Sequence, residues 1–238
     1  MVEELLIIII MKEIMNNSLE LPVQDLFPSP LYYVFRDSNI DITESEEIKN
    51  IIEEGMEQFD GREGPEPWAH REGIQNSTSR NSYLFNDKLH KLKEFCEKHI
   101  KIYIDNVISP KGDVKFYITQ SWLKMTKPGE EHRKHNHPNS IISGVYYIKT
   151  TVNDVIKFYD PNSVTKQAIK FSQKEAHIWN ATSWLFPVTN NKLILFPAWL
   201  EHSVPINPQA TTDRISLAFN VFAKGIVGEE YDLTRSFL

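Results

Sequence analysis

The spacing of hydrophobic and polar positions along this chain changes near residue 114. Beyond that point, short runs rich in β-branched and aromatic residues recur, and turn-forming segments such as 127–129 (Lys-Pro-Gly) and 160–162 (Asp-Pro-Asn) separate them. Many short strands with turns between them are typical of an all-β sandwich or barrel. The predicted strands are Val114–Met125, Ile141–Lys149, Val155–Tyr159, Ala176–Trp179, Leu193–Phe196 and Arg214–Phe222.

Before residue 114, apolar residues mostly keep helical spacing. Asp87–Val107 is the clearest predicted helix, and a second helix is predicted at Thr43–Phe59, where Thr43 is a candidate N-cap. His99 lies on the apolar stripe of the first helix and is expected to pack in the core, whereas His90 lies off the stripe and is expected in solvent. The stripe consists of Leu89, Leu92, Phe95, Cys96, His99 and Ile102.

The other N-terminal segments are predicted to be a strand at Leu31–Phe35 and a long loop at 60–82, which is rich in Gly, Pro, Ser and Asn. Trp68 and Arg71 in this loop are compatible with a lid over the mouth of the barrel, and equally with an ordinary surface connection. We expect a strand and helical region at 1–113 that packs on a β core at 114–238 as one structural unit.

Composition and charge add limits on location and partners. The net charge of −6 disfavours a nucleic-acid partner. The apolar run Leu5–Met11 is too short to cross a bilayer, and Met11 and Met15 are alternative start positions. Cys96 is the sole cysteine, so an internal disulfide is excluded, and a buried structural thiol in a cytoplasmic protein is expected. The sequence leaves a homodimer open.

The strongest chemical signal is a pair of histidines at the end of a strand. His135 and His137 are two residues apart, so on a strand their side chains point to the same face and can meet at one metal ion. Pro138 would end strand pairing there. His132 could join His135 only on a helix, which the neighbouring prolines and glycine disfavour. His202, which follows the apolar strand Leu193–Phe196, is the best candidate for a distant third ligand.

A basic residue follows on the next predicted strand. Arg214, Ser216, Ala218 and Asn220 lie on one face of this strand, and the other face is apolar. A small polar face with a single guanidinium fits a pocket for an anion, because arginine binds a carboxylate through two hydrogen bonds. The alternative is a surface arginine on a half-exposed strand.

These segments together resemble a known family, the 2-oxoglutarate/iron(II)-dependent oxygenases related to prolyl hydroxylases. The resemblance covers Leu26 to Phe222 and is most specific from Ser121 onward. The segments that carry it are "LFPSPLYYV" at 26–34, "HNHP" at 135–138, "SGVYYI" at 143–148, "KFYDP" at 157–161, "LFP" at 195–197 and "RISLAFN" at 214–220.

The resemblance implies a mainly β fold with N-terminal helices, whose core is a double-stranded β-helix (jelly roll) flanked by α-helices. It implies Fe(II), 2-oxoglutarate as cosubstrate, and dioxygen. His135 and His202 match metal ligands, and Arg214 matches the residue that holds the distal carboxylate of 2-oxoglutarate. Ser216 matches a serine that assists Arg214, and Tyr146 matches a tyrosine that contacts the same carboxylate, so Tyr147 is expected to point the other way, into packing. Candidate pocket-lining residues are Trp122, Met125 and Asn220.

The sequence departs from prolyl hydroxylases at His137, where they carry aspartate. We favour a site of three histidines, and the alternative is a carboxylate from Glu130, Glu131 or Asp160. The expected function is hydroxylation of a protein side chain or small metabolite, with oxidative decarboxylation of 2-oxoglutarate to succinate. The alternatives are a cupin-like three-histidine dioxygenase or isomerase that does not use 2-oxoglutarate, and a non-catalytic metal-binding barrel. His177 is interpreted as structural, on a strand.

Overall fold

The computed structural model of the chain describes residues 26–37, 44–50, 77–78, 84, 87–112, 114–163, 169, 171–229, 231 and 233–238. Residues 44–50 are helical, in agreement with the predicted second helix. Several sequence predictions lie outside the described residues: the apolar run Leu5–Met11, the alternative start Met15, the cap Thr43, the helix end at 51–59, and the loop residues Trp68 and Arg71.

Two antiparallel sheets form the β core, and they face each other as a sandwich. The larger sheet has the strand order β1-β8-β5-β10-β3-β2, and the smaller sheet has the order β4-β9-β6-β7. The strands of the larger sheet are β1 (Tyr32–Phe35), β2 (Ser77–Thr78), β3 (Lys115–Thr126), β5 (Ile142–Lys149), β8 (Lys192–Pro197) and β10 (Arg214–Lys224). The smaller sheet contains β4 (His132–His135), β6 (Val155–Tyr159), β7 (Ser183–Pro187) and β9 (His202–Val204), and β11 (Ile226–Val227) pairs with β12 (Ser236–Phe237).

The central strands of the larger sheet are buried on both faces, and β5 and β8 are therefore largely apolar. One face packs on the long helix His90–Tyr103. This helix is preceded by a 3-10 turn at Asp87–Leu89 and followed by a π-helical turn at Ile104–Ile108. The outer cluster includes Leu92, Cys96, Leu123, Leu193, Leu217 and Phe219, and the inner cluster, between the sheets, includes Tyr147, Ile156, Phe158, Ile194 and Phe196.

The predicted helix and most predicted strands are confirmed. His99 is buried on the helix, and its Nδ1 lies 2.7 Å from the Tyr32 hydroxyl, as expected of a packed core histidine. Cys96 is a buried free thiol, and burial raises its pKa.

The strand predicted at Ala176–Trp179 is wrong. Residues 178–180 form a turn, in which the backbone N–H of Asn180 donates to the carbonyl of the exposed His177. The sequence also missed β7, whose Trp184 and Leu185 are both exposed, so burial does not alternate there.

Gly144 on β5 allows a close contact between two central strands. It pairs directly with Phe219 on β10, and an added Cβ at position 144 would lie 2.1 Å from the Phe219 ring. The ring therefore covers the glycine, and no larger residue fits at position 144 without displacing the ring.

In the described part of the chain, no helix is both long enough and apolar enough to span a membrane.

Candidate metal centre

Three histidines meet at one end of the smaller sheet. His135 ends β4 and pairs directly with His202 on β9. His137 lies just beyond β4, where its backbone N–H donates to the carbonyl of Ala198 at 3.0 Å. One ligand atom from each of these histidines lies within 4.8 Å of the other two, so the rings that the sequence brought forward as ligands are in fact neighbours.

Backbone hydrogen bonds orient two of these rings. Nδ1 of His135 lies 2.7 Å from the carbonyl oxygen of Arg133, and Nδ1 of His202 lies 3.0 Å from that of Leu200. A carbonyl can only accept, so both Nδ1 atoms carry the proton and both Nε2 atoms keep a free lone pair. The Nε2 atoms of His137 and His202 are 3.4 Å apart. This convergence of imidazole nitrogens is the arrangement that a first-row metal ion requires.

Burial keeps the imidazoles neutral. It lowers the pKa of His202 to about 3 and that of His137 to about 4, and it lowers the pKa of His135 as well. The charge that His135 would carry lowers the pKa of both partners further. Since only neutral imidazole binds a metal, the free centre is already in the protonation state that binding needs.

The described residues offer no carboxylate in this cluster, whose members are histidines alone. Of the acidic candidates from the sequence, Glu130 accepts a hydrogen bond from the backbone of Lys127 at 2.7 Å, within a turn. Asp160 accepts from the backbone N–H of Asn162 at 2.9 Å, which is the turn role that its neighbouring proline suggested. The geometry therefore agrees with a site of three histidines.

A fourth histidine lies at the site, although the sequence analysis set it aside as a partner of His135. His132 lies on β4 with its ring centroid 4.1 Å from that of His135. The pairing register of β4 shifts between these two residues, and this irregularity brings side chains three positions apart to the same face. Burial, with the nearby positive charge of Lys124, lowers the pKa of His132 to about 2. A bulge of this kind leaves no mark in the alternation of polar and apolar residues.

The same cavity has a cationic end on the larger sheet. It is lined by Arg214 and Ser216 from β10, by Lys124 from β3, and by Tyr147 from β5, together with the histidines. Arg214 is 5% exposed, and its Nε lies 3.3 Å from Oδ2 of the buried Asp154. Burial lowers the pKa of Lys124 to about 8, although Glu130 opposes this. Ala218 of β10 also lines the cavity, whereas Ile215, Leu217 and Val221 of the same strand pack in the outer cluster.

The assignment of the two tyrosines on β5 is reversed relative to the sequence prediction. Tyr146 is fully buried in the outer cluster, where its hydroxyl donates to Asn191 at 2.9 Å. Tyr147 lines the cavity, with the guanidinium of Arg214 5.1 Å from the centre of its ring. The pairing register explains this, because Ser216 on the pocket face of β10 stands opposite Tyr147, and core-facing Leu217 stands opposite Tyr146. The register cannot be read from one sequence, so the face on which each tyrosine lies could not be predicted from it.

Of the three predicted pocket-lining residues, one lines the cavity. Trp122 does so, with its ring 5.7 Å from that of His137. Met125 does not, because it points into the outer cluster on the opposite face of β3. Asn220 lies behind His137, and its side-chain nitrogen is 3.4 Å from Nδ1 of that residue.

Comparison with known proteins supports the fold and the family resemblance drawn from the sequence. Residues 120–220 match the family model described as "Putative 2OG-Fe(II) oxygenase". No curated protein sequence matches the chain. The match to the family model includes the three histidines and Arg214, and it agrees with the resemblance drawn from the sequence.

Solved structures are similar in fold. A prolyl-4-hydroxylase from Pseudomonas putida has a TM-score of 0.52 at 11% identity, with 83% of this chain and 94% of that chain covered. A prolyl hydroxylase from Trichoplax adhaerens, in complex with a hypoxia inducible factor peptide, has a TM-score of 0.52 at 9% identity, covering 81% and 83%. The non-heme alpha ketoglutarate dependent carbocyclase SnoK from nogalamycin biosynthesis has a TM-score of 0.54 at 12% identity, covering 82% and 81%. The two packed sheets are therefore a double-stranded β-helix.

Proposed function

The segment 120–220 belongs to the 2OG-Fe(II) oxygenase family, and from this premise we propose that the protein is an iron(II)- and 2-oxoglutarate-dependent dioxygenase. Its proposed reaction hydroxylates a protein side chain or a small metabolite and converts 2-oxoglutarate to succinate and carbon dioxide. The observation that carries the proposal is a single cavity lined both by the histidines 135, 137 and 202 and by Arg214.

The donor set fits a divalent metal ion. His135, His137 and His202 would hold it through nitrogen atoms that are already close and neutral, and backbone carbonyls orient the rings of His135 and His202. Imidazole is a suitable ligand for iron, zinc, copper and nickel. The usual iron site in this chemistry has two histidines and one carboxylate, so a third imidazole leaves one more positive charge at the centre.

The cationic end of the cavity fits a carboxylate. Nε of Arg214 lies 3.3 Å from Oδ2 of Asp154 but makes no hydrogen bond by geometry with any described residue, and the planar guanidinium suits a carboxylate. The buried Tyr147 hydroxyl finds no hydrogen-bond partner by geometry among the described residues, so a bound acceptor would satisfy it. Ser216 adds a further hydroxyl beside them. These groups would hold the distal carboxylate of 2-oxoglutarate.

In the proposed reaction the protein binds, orients and excludes water. When bound, iron(II) and 2-oxoglutarate supply the activation of dioxygen, and the reaction balances because one oxygen atom enters succinate and the other becomes the substrate hydroxyl. Arg214, Lys124 and Tyr147 draw the anionic cosubstrate into the cavity and fix its orientation. Trp122 covers one side of His137 and limits the access of water.

Anaerobic addition of 2-oxoglutarate to the iron(II)-loaded protein tests the proposal. We expect a weak visible charge-transfer band, and succinate release once air is admitted. The His202→Ala and His135→Ala variants should lose metal binding. Arg214→Ala should keep the metal but need roughly 10- to 100-fold more 2-oxoglutarate, the loss typical of hydrogen bonds to a charged group.

Arg235→Ala is the matched control, because Arg235 lies near the C-terminus against Phe237 and away from the cavity. This variant should behave as the unmodified protein does. A protein that binds iron tightly but gives neither the band nor succinate would contradict the proposal.

The all-histidine cluster favours a second candidate, a cupin-like dioxygenase or isomerase that uses three imidazoles and no 2-oxoglutarate. A non-catalytic metal-binding barrel is the third. Neither alternative needs Arg214, so both predict that Arg214→Ala leaves metal binding and the activity of the metal-loaded protein unchanged.

We further propose a cytoplasmic location and no nucleic-acid partner, supported by the lone buried thiol of Cys96 and the net charge of −6.

A further inference from the structure

The three imidazoles of the metal centre differ in the group that contacts Nδ1. Backbone carbonyls hold Nδ1 of His135 and of His202, at 2.7 Å and 3.0 Å. Nδ1 of His137 instead faces a side chain, the amide of Asn220, at 3.4 Å. His137 also occupies the position where prolyl hydroxylases carry aspartate. The contact that can orient its ring is with the Asn220 side chain and not with a backbone carbonyl.

Asn220 is itself firmly placed. It is 7% exposed on β10 and stands opposite Ser143 on β5. The Ser143 hydroxyl donates to Oδ1 of Asn220 at 3.0 Å, and this bond is buried. The Thr119 hydroxyl donates to the Asn220 backbone carbonyl at 3.2 Å. Ser143, Asn220 and His137 thus form one chain of contacts from the larger sheet to the metal centre.

We propose that Asn220, supported by Ser143, is the positioning residue that makes His137 a metal ligand. A metal bound to Nε2 requires that Nδ1 carry the proton and donate it to an acceptor. Turned by 180°, the Asn220 amide presents Oδ1 to Nδ1–H of His137 and its NH₂ group to Ser143. The serine hydroxyl can accept as well as donate, so both orientations are satisfied. This inference rests on the proposed function only in requiring that the histidines bind a metal.

The arrangement explains how an imidazole can serve at this position. A ligand carboxylate accepts hydrogen bonds and needs no donor arrangement behind it, whereas an imidazole binds with a defined tautomer and ring plane. His137 lies beyond the end of β4, and its own backbone N–H is already bonded to Ala198. The group that faces its Nδ1 comes from the opposite sheet, where Asn220 stands.

Cobalt(II) affinity, measured by competition with a chelator and by the visible spectrum of the bound ion, tests the inference. Asn220→Leu removes the acceptor at similar size, and we expect affinity to fall 10- to 100-fold, as when other groups that hydrogen-bond a ligand are removed. Asn220→Asp keeps an acceptor for Nδ1–H and should bind within about threefold of the unmodified protein or tighter. Ser143→Ala should cause a smaller loss than Asn220→Leu.

Ser121→Ala is the matched control for Ser143→Ala. Both serines are buried on central strands, but Ser121 accepts a hydrogen bond from the backbone of Leu84 and not from the metal centre. It should lower the melting temperature without changing cobalt affinity. Unchanged cobalt affinity in Asn220→Leu, or equal losses in Asn220→Leu and Asn220→Asp, would overturn the role of Asn220. In either case, cobalt binding by the unmodified protein would still support the metal centre. If the unmodified protein bound no cobalt, both would fall.

Discussion

The histidines of the metal centre are buried in the neutral form, so the stability of the metal-free protein should depend on pH. Burial lowers the pKa of His202 to about 3, against about 6.5 in an unfolded chain. Below pH 6.5 the unfolded chain therefore binds more protons than the folded one. The stabilisation is complete above pH 6.5 and is lost as pH falls toward 3.

Urea unfolding of the metal-free protein at pH 7.5 and 5.5 measures this effect. We expect His202 alone to lower the free energy of unfolding by about 1 kcal/mol between these values. His202→Asn should reduce the dependence of the free energy of unfolding on pH. Equal stability at both pH values would show that the imidazoles are exposed to solvent.

His137 sets the charge of the centre, and its replacement by aspartate should preserve iron binding. The substitution restores the commoner set of two histidines and one carboxylate. The Asn220 amide, as it stands, presents a donor on this side and could hydrogen-bond the new carboxylate. We expect iron affinity within about tenfold of the unmodified protein, measured by anaerobic chelator competition. Loss of iron would mean that the cavity accepts only an imidazole at this position.

The candidate metal ligands could be predicted from individual residues of the sequence, but the residues that surround them could not. The sequence shows two histidines separated by one residue, then a distal histidine and a later arginine. The structure brings all four to one cavity. The position of His132 depends on the irregular register of β4, and the ion pair between Asp154 and Arg214 joins residues that no local pattern connects.

At the scale of elements, β5 places adjacent tyrosines on opposite faces, which provides an internally controlled experiment. Tyr147→Phe removes a hydroxyl from the cavity, and we expect roughly 10-fold more 2-oxoglutarate to be needed for half-maximal succinate release. Tyr146→Phe removes the hydrogen bond to Asn191 on the other face. It should lower the free energy of unfolding by about 1 kcal/mol and leave the 2-oxoglutarate requirement unchanged. The opposite outcome would restore the original assignment of Tyr146.

The contact between β5 and β10 should make Gly144 intolerant of any side chain. A methyl group at position 144 would lie inside the van der Waals radius of the Phe219 ring, and the core around that ring is closely packed. We expect Gly144→Ala to lower the free energy of unfolding by about 1–3 kcal/mol, measured by urea denaturation. The double variant Gly144→Ala with Phe219→Leu should recover part of the loss if the clash is the cause.

Element by element, prediction succeeded where one physical pattern dominates. The long helix has an apolar stripe, and β10 alternates polar and apolar residues, so both were found with their buried faces. Short strands of the smaller sheet are different. In β7 neither Trp184 nor Leu185 is buried, and β9 has only three residues, too few to show a period.

Across the whole molecule, the histidine cluster and the cationic end of the cavity belong to different sheets. The histidines come from β4, from β9 and from the turn after β4, whereas Arg214, Tyr147 and Lys124 come from the larger sheet. A ligand that contacts both ends of the cavity would therefore tie the sheets together. A jelly roll was predicted from the resemblance as a whole, while the distance between the two ends depends on how the sheets pack.

Thermal unfolding under anaerobic conditions should show this coupling. Iron(II) at 100 times its dissociation constant stabilises the folded state by about 2.7 kcal/mol, which corresponds to roughly 5–10 °C in melting temperature for a chain of this size. We expect 2-oxoglutarate to add a further increase when the metal is present and little when it is absent, because its binding uses both sheets. Arg214→Ala should keep the increase due to iron and lose the further increase due to 2-oxoglutarate. An increase from 2-oxoglutarate that needs neither metal nor Arg214 would place the cosubstrate somewhere other than this cavity.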